Sequence, residues 1–141
     1  MTDTIEFSSA TRADMAQTIA LWQAAGLTRP WNDPQKDFLF AIEKSESTVL
    51  VGHENGRIVS SVMVGHDGHR GVVYYVAVDP DRQGGGLGRK TMKAAEDWLL
   101  DRGVWKMNLL VRDDNADAQG FYKSLGYVVS PVVSMQRKLV D

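Results

Sequence analysis

The stretch of this sequence best suited to hold an anion is Arg82-Gln83-Gly84-Gly85-Gly86-Leu87-Gly88. Glycines let successive backbone amides face one point, and a helix opening there adds partial positive charge. From Arg82 to Lys93 the charged residues are Arg82, Arg89, Lys90 and Lys93, with no acid among them. The expected ligand is therefore a phosphate or pyrophosphate. A Walker loop is excluded, because Gly88 is followed by Arg89-Lys90 rather than Lys-Ser/Thr. A dinucleotide fingerprint counted from Gly84 would place its third glycine on Arg89, so it fails as well.

Other residues offer acid–base and recognition chemistry. Asn115 and Tyr122 lie seven positions apart, two helical turns, so one helix presents an amide and a phenol on one side. Trp31-Asn32-Asp33 and His66-Asp67-Gly68-His69-Arg70 are polar and aromatic loop segments. The second is weak as a metal site, because no further His or Cys stands at metal spacing; no metal is expected. It reads either as a polar turn or as the lining of a binding site. Asp33 reads either as a helix cap or as a partner for a bound cation. His69 is suited to take a proton, since an unperturbed histidine titrates near neutrality. Tyr74 is expected at the floor of a pocket formed by the two loops.

These residues need elements to position them. Val72 to Val78 is an apolar run, β-branched and aromatic on both faces, ended by Asp79-Pro80; it predicts an interior strand. After the glycine loop, Met92, Ala95 and Leu99 fall at helical core spacing, with Trp98 beside them, up to Gly103. Val104 to Val111 predicts a second interior strand, reached by a right-handed parallel crossover. Asn115 can cap a helix running to Leu125, with Ala118, Phe121 and Leu125 on its core side. Tyr127-Val128-Val129 and Val133 to Leu139 predict a final hairpin, interrupted by Pro131.

Upstream, Ile5-Glu6-Phe7 predicts a short strand, and Thr11 with Asp14 a helix start that runs to Gly26. Asp33-Pro34 opens a second helix with Phe38, Ala41 and Ile42 as its stripe. Thr48 to Val51 and Ile58 to Val64 flank Asn55-Gly56, the strongest short-range hairpin signal.

The 141 residues predict one domain spanning 1–141, with 43% apolar and 24% charged residues as in an ordinary globule. A net charge of −2 gives no long-range pull on nucleic acid, so any steering of an anion falls to the patch at 82–93. With no cysteine there is no disulfide and no thiol nucleophile. The polar N-terminus and the lack of a spanning apolar run point to a cytoplasmic protein without a membrane partner.

Gln83-x-x-Gly86-x-Gly88 after Val-Asp-Pro resembles the Q/R-x-x-G-x-G/A signature of the GNAT acetyltransferases. Asn115, Ala118, Phe121, Tyr122, Gly126 and Tyr127 match the family's C-terminal motif N-x-x-A-x-x-F/Y-Y-x-x-x-G-F/Y. The segments Arg29 to Pro34, Asp67 to Gly71 and Tyr74-Tyr75 resemble the small bacterial YpeA-type acetyltransferases. The resemblance implies an α+β fold: a mostly antiparallel sheet with a splayed parallel strand pair, flanked by about four helices. It implies acetyl-CoA as co-substrate. The pantetheine would pair with Val76, Ala77 and Val78, and the pyrophosphate would sit on the amides of Gln83, Gly84, Gly85, Gly86, Leu87 and Gly88, with Arg89 beside them. Asn115 would touch the pantetheine arm, and Tyr122 would lie near the sulfur.

Acetyl transfer to an amine needs a neutral amine, a donor to the oxyanion and an acid for the departing thiolate. A backbone amide at a strand bulge near Val76 could be the donor, and Tyr122 the acid. Many family members use a Glu on the central strand as base, but that strand here has no acid. His69, Asp67, Asp33 and Tyr74 are left as candidates. Without cysteine, direct transfer in a ternary complex is expected, to a small-molecule or protein amine, with Trp31, Asn32, Asp33, Asp67 and His69 contacting the acceptor. The alternative is a non-catalytic acyl-CoA sensor or regulatory domain; a nucleotide-binding module would lack its lysine and magnesium ligands. A homodimer is left open, since the last hairpin could pair between chains.

Overall fold

The computed structural model describes residues 4–141. Strand β1 (Glu6–Ser9) leads to a 3-10 turn at Arg12–Asp14, where the Thr11 N–H donates to the Asp14 carboxylate at 2.9 Å, and on into helix α1 (Met15–Ala24). Helix α2 (Pro34–Ile42) starts as its sequence requires: Asp33 accepts from the Gln35 and Lys36 amides at 3.0 and 3.3 Å, and Pro34 fills the first position. Strands β2 (Ser47–Glu54) and β3 (Arg57–His66) are joined by Asn55 (φ 52) and Gly56 (φ 77), both in the left-handed region that a tight hairpin turn demands. Strand β4 (Gly71–Val78), helix α3 (Leu87–Leu100) and strand β5 (Met107–Leu109) complete the first of two compact units, which ends at Leu110.

The sheet order is β1-β2-β3-β4-β5, antiparallel throughout except for the parallel β4–β5 pair, as expected. Both sheet faces are covered. On one, Trp22 and Phe38 are fully buried against Val49, Val51 and Ala77. On the other, Gly71 lies so close to Leu99 that a Cβ would sit 2.5 Å from it. By alternation Val73, and its pairing partner Val64, face α3 as well, and both are buried. Met92, Ala95, Trp98 and Leu99 are buried, so Trp98 is core.

The second unit, Val111–Asp141, contains helix α4 (Ala116–Ser124), capped by Asn115, whose Oδ1 accepts from the Ala118 amide at 3.0 Å. The sequence reading is corrected here. Residues 127–141 form no strand, and Val128, Val129, Val133, Met135 and Leu139 are exposed. A lone hairpin is marginal in water without further strands or a helix to cover it, and Pro131 removes a donor from its middle. The strand expected over 104–111 is correspondingly short, three residues long, and lies at the sheet edge rather than inside it.

Candidate active site

The central strand carries a bulge. Ser61 on β3 pairs with Ala77 and Met63 with Tyr74, so Val62 faces two residues, Tyr75 and Val76. Tyr75 takes φ 50, left-handed backbone that costs a residue with a Cβ roughly 1–2 kcal/mol. The parallel ladder with β5 stops at Val73–Leu109. Beyond it, Tyr74 to Val78 have no strand on their β5 side among the described residues. The result is an open strand edge in mid-sheet, ending at Asp79.

That edge runs straight into the glycine loop. Asp79 closes the strand: its carboxylate accepts from the Asp81 amide at 2.9 Å and pairs with Arg57 at 2.6 Å. Gly84 (φ 86) and Gly86 (φ 81) need left-handed backbone, and a Cβ on Gly84, Gly85 or Gly86 would meet almost nothing. Gly86 is the N-cap of α3 and offers no side chain to the helix's first amides, those of Leu87, Gly88 and Arg89. The Leu87 side chain is buried, so only its backbone faces the loop. These exposed glycines and the uncapped helix end leave backbone amides available to an anion.

The basic patch is smaller than its sequence implies. Arg82 is tied to Glu54, and Lys93 to Asp97 at 2.5 Å, four residues on. Arg89 and Lys90 are exposed and belong to none of the ion pairs among the described residues.

The two segments expected to form one acceptor pocket occupy different surroundings. Asp67 closes the β3–β4 turn: its Oδ1 accepts from the Arg70 and His69 amides at 2.8 and 2.9 Å, and these bonds hold its carboxyl below the usual range. The His69 ring is exposed, with its Nδ1 3.4 Å from Arg70. Tyr74, half exposed, lines a groove of about 500 Å³ with Lys44, Glu46, His66, Asp67, Arg70 and Asn108. Trp31 is 67% exposed, so it does not anchor its loop in the core. Asp33 caps α2 instead, and both Asn32 and Asp33 lie near enough to the Tyr75 hydroxyl to shift its pKa, Asn32 downward and Asp33 upward.

Tyr75 is the residue that sequence reasoning passed over. Its ring stacks on Trp22, with centroids 4.0 Å apart and planes 13° from parallel, and its hydroxyl donates to Asp37 Oδ2 at 2.7 Å. Burial first, and Asp37 second, push its phenol far above the ordinary value. In the second unit, Tyr122 sits edge-on to Phe121 and Tyr127, with centroids 5.1 and 5.8 Å away. Burial raises its pKa too.

No group of three or more metal-ligating side chains occurs among the described residues, and no helix there is long and apolar enough to cross a membrane.

An acetyltransferase of Yersinia pestis (strain Pestoides F) is 39% identical over 127 residues, 90% of each chain. The solved ribosomal-protein-S18-alanine N-acetyltransferase from Escherichia coli superposes with a TM-score of 0.75 at 29% identity, over 87% of this chain and 77% of that one. The aminoglycoside enzyme AAC(6')-Iy, solved with a CoA-S-monomethyl-acetylneamine bisubstrate analogue, shares the fold with a TM-score of 0.81 at 13% identity, over 97% and 99% of the two chains. The family description "Acetyltransferase (GNAT) family" matches residues 14–127, which take in the bulged strand, the glycine cradle and the Asn115–Tyr127 motif alike: the chain belongs to the GNAT acetyltransferases.

Proposed function

We propose that this protein transfers the acetyl group of acetyl-CoA directly to an amine of a small molecule or a protein. The observation that carries the reading is the continuity of an open strand edge with an anion cradle. An extended amide-bearing arm can pair with Val76, Ala77 and Val78, while the diphosphate at its end meets the amides of Gln83 to Gly88. Arg89 adds charge beside the cradle.

The amine attacks the thioester carbon, and the Val76 amide, at the bulge, donates to the oxyanion that forms. As the tetrahedral intermediate collapses, the C–S bond breaks and the departing thiolate takes the Tyr122 proton. The phenol carries its proton at neutral pH, as an ordinary tyrosine does, and burial raises its pKa further. Asn115 orders the pantetheine through its amide NH₂, since its oxygen is engaged in capping. The ammonium proton goes to a base for which His69 and Tyr74 are the proposals; Asp33 and Asp67 already spend an oxygen on backbone amides. Trp31, Asn32 and Asp33 on one side, and Asp67 and His69 on the other, are proposed to contact the acceptor.

One of the similar enzymes carries an aminoglycoside name and another that of a ribosomal-protein alanine, so both acceptor classes stay within the proposal. The two units are taken as parts of one catalytic domain acting in the cytoplasm, as a homodimer. Release of free CoA from acetyl-CoA across an amine library tests the reading. Tight CoA binding with no release for any amine or N-terminal peptide would replace it with the sensor alternative.

A further inference from the structure

Of the described non-glycine residues, Asn55 and Tyr75 have positive φ. Asn55 sits in a hairpin turn that favours it, whereas an aromatic residue stays in that region only where its surroundings over-determine it. Three elements converge on Tyr75. From α1, Trp22 stacks on its ring. From α2, Asp37 accepts its hydroxyl, and no cation among the described residues pairs with Asp37. From β3, Ser61 Oγ accepts the Trp22 indole N–H at 2.9 Å and lies 3.5 Å from the Tyr75 carbonyl, to which it can donate. Trp22 and Ser61 are fully buried, so this clamp has little room to drift.

We propose that Tyr75 is a positioning residue for acetyl transfer, clamped by Trp22, Ser61 and Asp37 so that the bulge holds the Val76 amide toward the thioester oxygen. This rests on the acetyltransferase reading. The link is covalent: the peptide plane after Tyr75 carries the Val76 N–H. If Tyr75 relaxes to extended backbone, that plane turns and takes the donor with it. An amide aimed at charge that develops only in the transition state affects turnover rather than ground-state binding. Losing its alignment therefore lowers kcat and leaves acetyl-CoA affinity alone.

The test compares Tyr75→Phe, which keeps the stack and loses the Asp37 bond, with Asp37→Ala, Asp37→Asn and the Tyr75→Phe/Asp37→Ala pair. Each of the first two should lower kcat on the order of 10- to 100-fold, below the 10²–10³ of deleting an oxyanion donor outright. Acetyl-CoA Kd and acceptor KM should stay within about twofold, as a purely catalytic loss requires. The double variant should be no slower than the worse single one, and Asp37→Asn, which still offers an oxygen, should recover most of the Asp37→Ala loss. Full kcat in Tyr75→Phe, or a loss that appears equally in Kd, overturns the clamp while the enzyme reading stands. An inactive wild type across the amine library overturns the enzyme reading itself.

Discussion

At the scale of single residues, the acid and the groups around it are open to direct measurement. Tyr122→Phe should lower kcat by about 10²-fold, the lower end of what one general acid supplies, with acetyl-CoA affinity almost unchanged. An equal rate in the variant would leave Tyr122 an ordering role alone. The pH profile gives an independent check. A phenol raised by burial stays protonated up to and beyond its ordinary value of about 10, so the acid is retained while pH rises through neutrality and lost only above that value. The alkaline limb of kcat should begin above about pH 10; a limb centred near 8 would assign the proton to another group. Among the candidate bases, His69→Ala should lower kcat/KM by about 10²-fold, the lower end of what one general base supplies, with acetyl-CoA affinity almost unchanged. An unchanged kcat/KM would remove His69 from that role.

At the scale of elements, the cradle is best probed at Gly85. Gly84 and Gly86 need positive φ, so a side chain there adds backbone strain to any steric effect. Gly85 has ordinary φ, and its Cβ would meet nothing nearer than the Arg82 carbonyl at 3.9 Å. Gly85→Val should leave the melting temperature near that of wild type and weaken CoA on the order of a hundredfold, about 2.7 kcal/mol. Undiminished thermal stabilisation by CoA in this variant would show that the diphosphate binds elsewhere. The same scale shows what the sequence discloses. Asp33-Pro34, Asn55-Gly56, Thr11 with Asp14 and the Asn115 cap act through bonds a few residues long, and each is found where its local chemistry puts it. The bulge was expected near Val76, and it lies there. Its consequence for Tyr74 and Tyr75 was not legible: every residue from Val72 to Val78 is apolar or aromatic, so a slip in alternation leaves no mark on the pattern. The pattern therefore does not tell the two tyrosines apart, and the bond that distinguishes Tyr75, to Asp37, comes from another element. The final hairpin misled for a complementary reason. Alternating valines state that a strand is possible, but a ladder exists only with a partner, which lies outside the segment.

At the scale of the whole molecule, the GNAT membership read from two short motifs extends over residues 14–127. The proposed dimer belongs to this scale. Val128, Val129, Val133, Met135 and Leu139 are exposed within one short segment, and clustered exposed apolar side chains mark interaction surfaces. Light scattering should give twice the 15.6 kDa of the chain, and Val133→Glu with Met135→Glu should return it to the single mass. A single mass for wild type would exclude the dimer.

The gap beside β4 has a further consequence, for the behaviour of the protein in storage and in the cell. An unpaired strand edge is a template on which another chain can add, the first step towards insoluble assemblies. Here the exposed length is interrupted by the left-handed Tyr75, which breaks the straight run of donors and acceptors that an incoming strand would need. A ligand lying along Val76 to Val78 would cover what remains. CoA should therefore act as a solubilising additive: concentrated protein held without it should grow turbid sooner than protein held with it, by an effect separate from any rise in melting temperature.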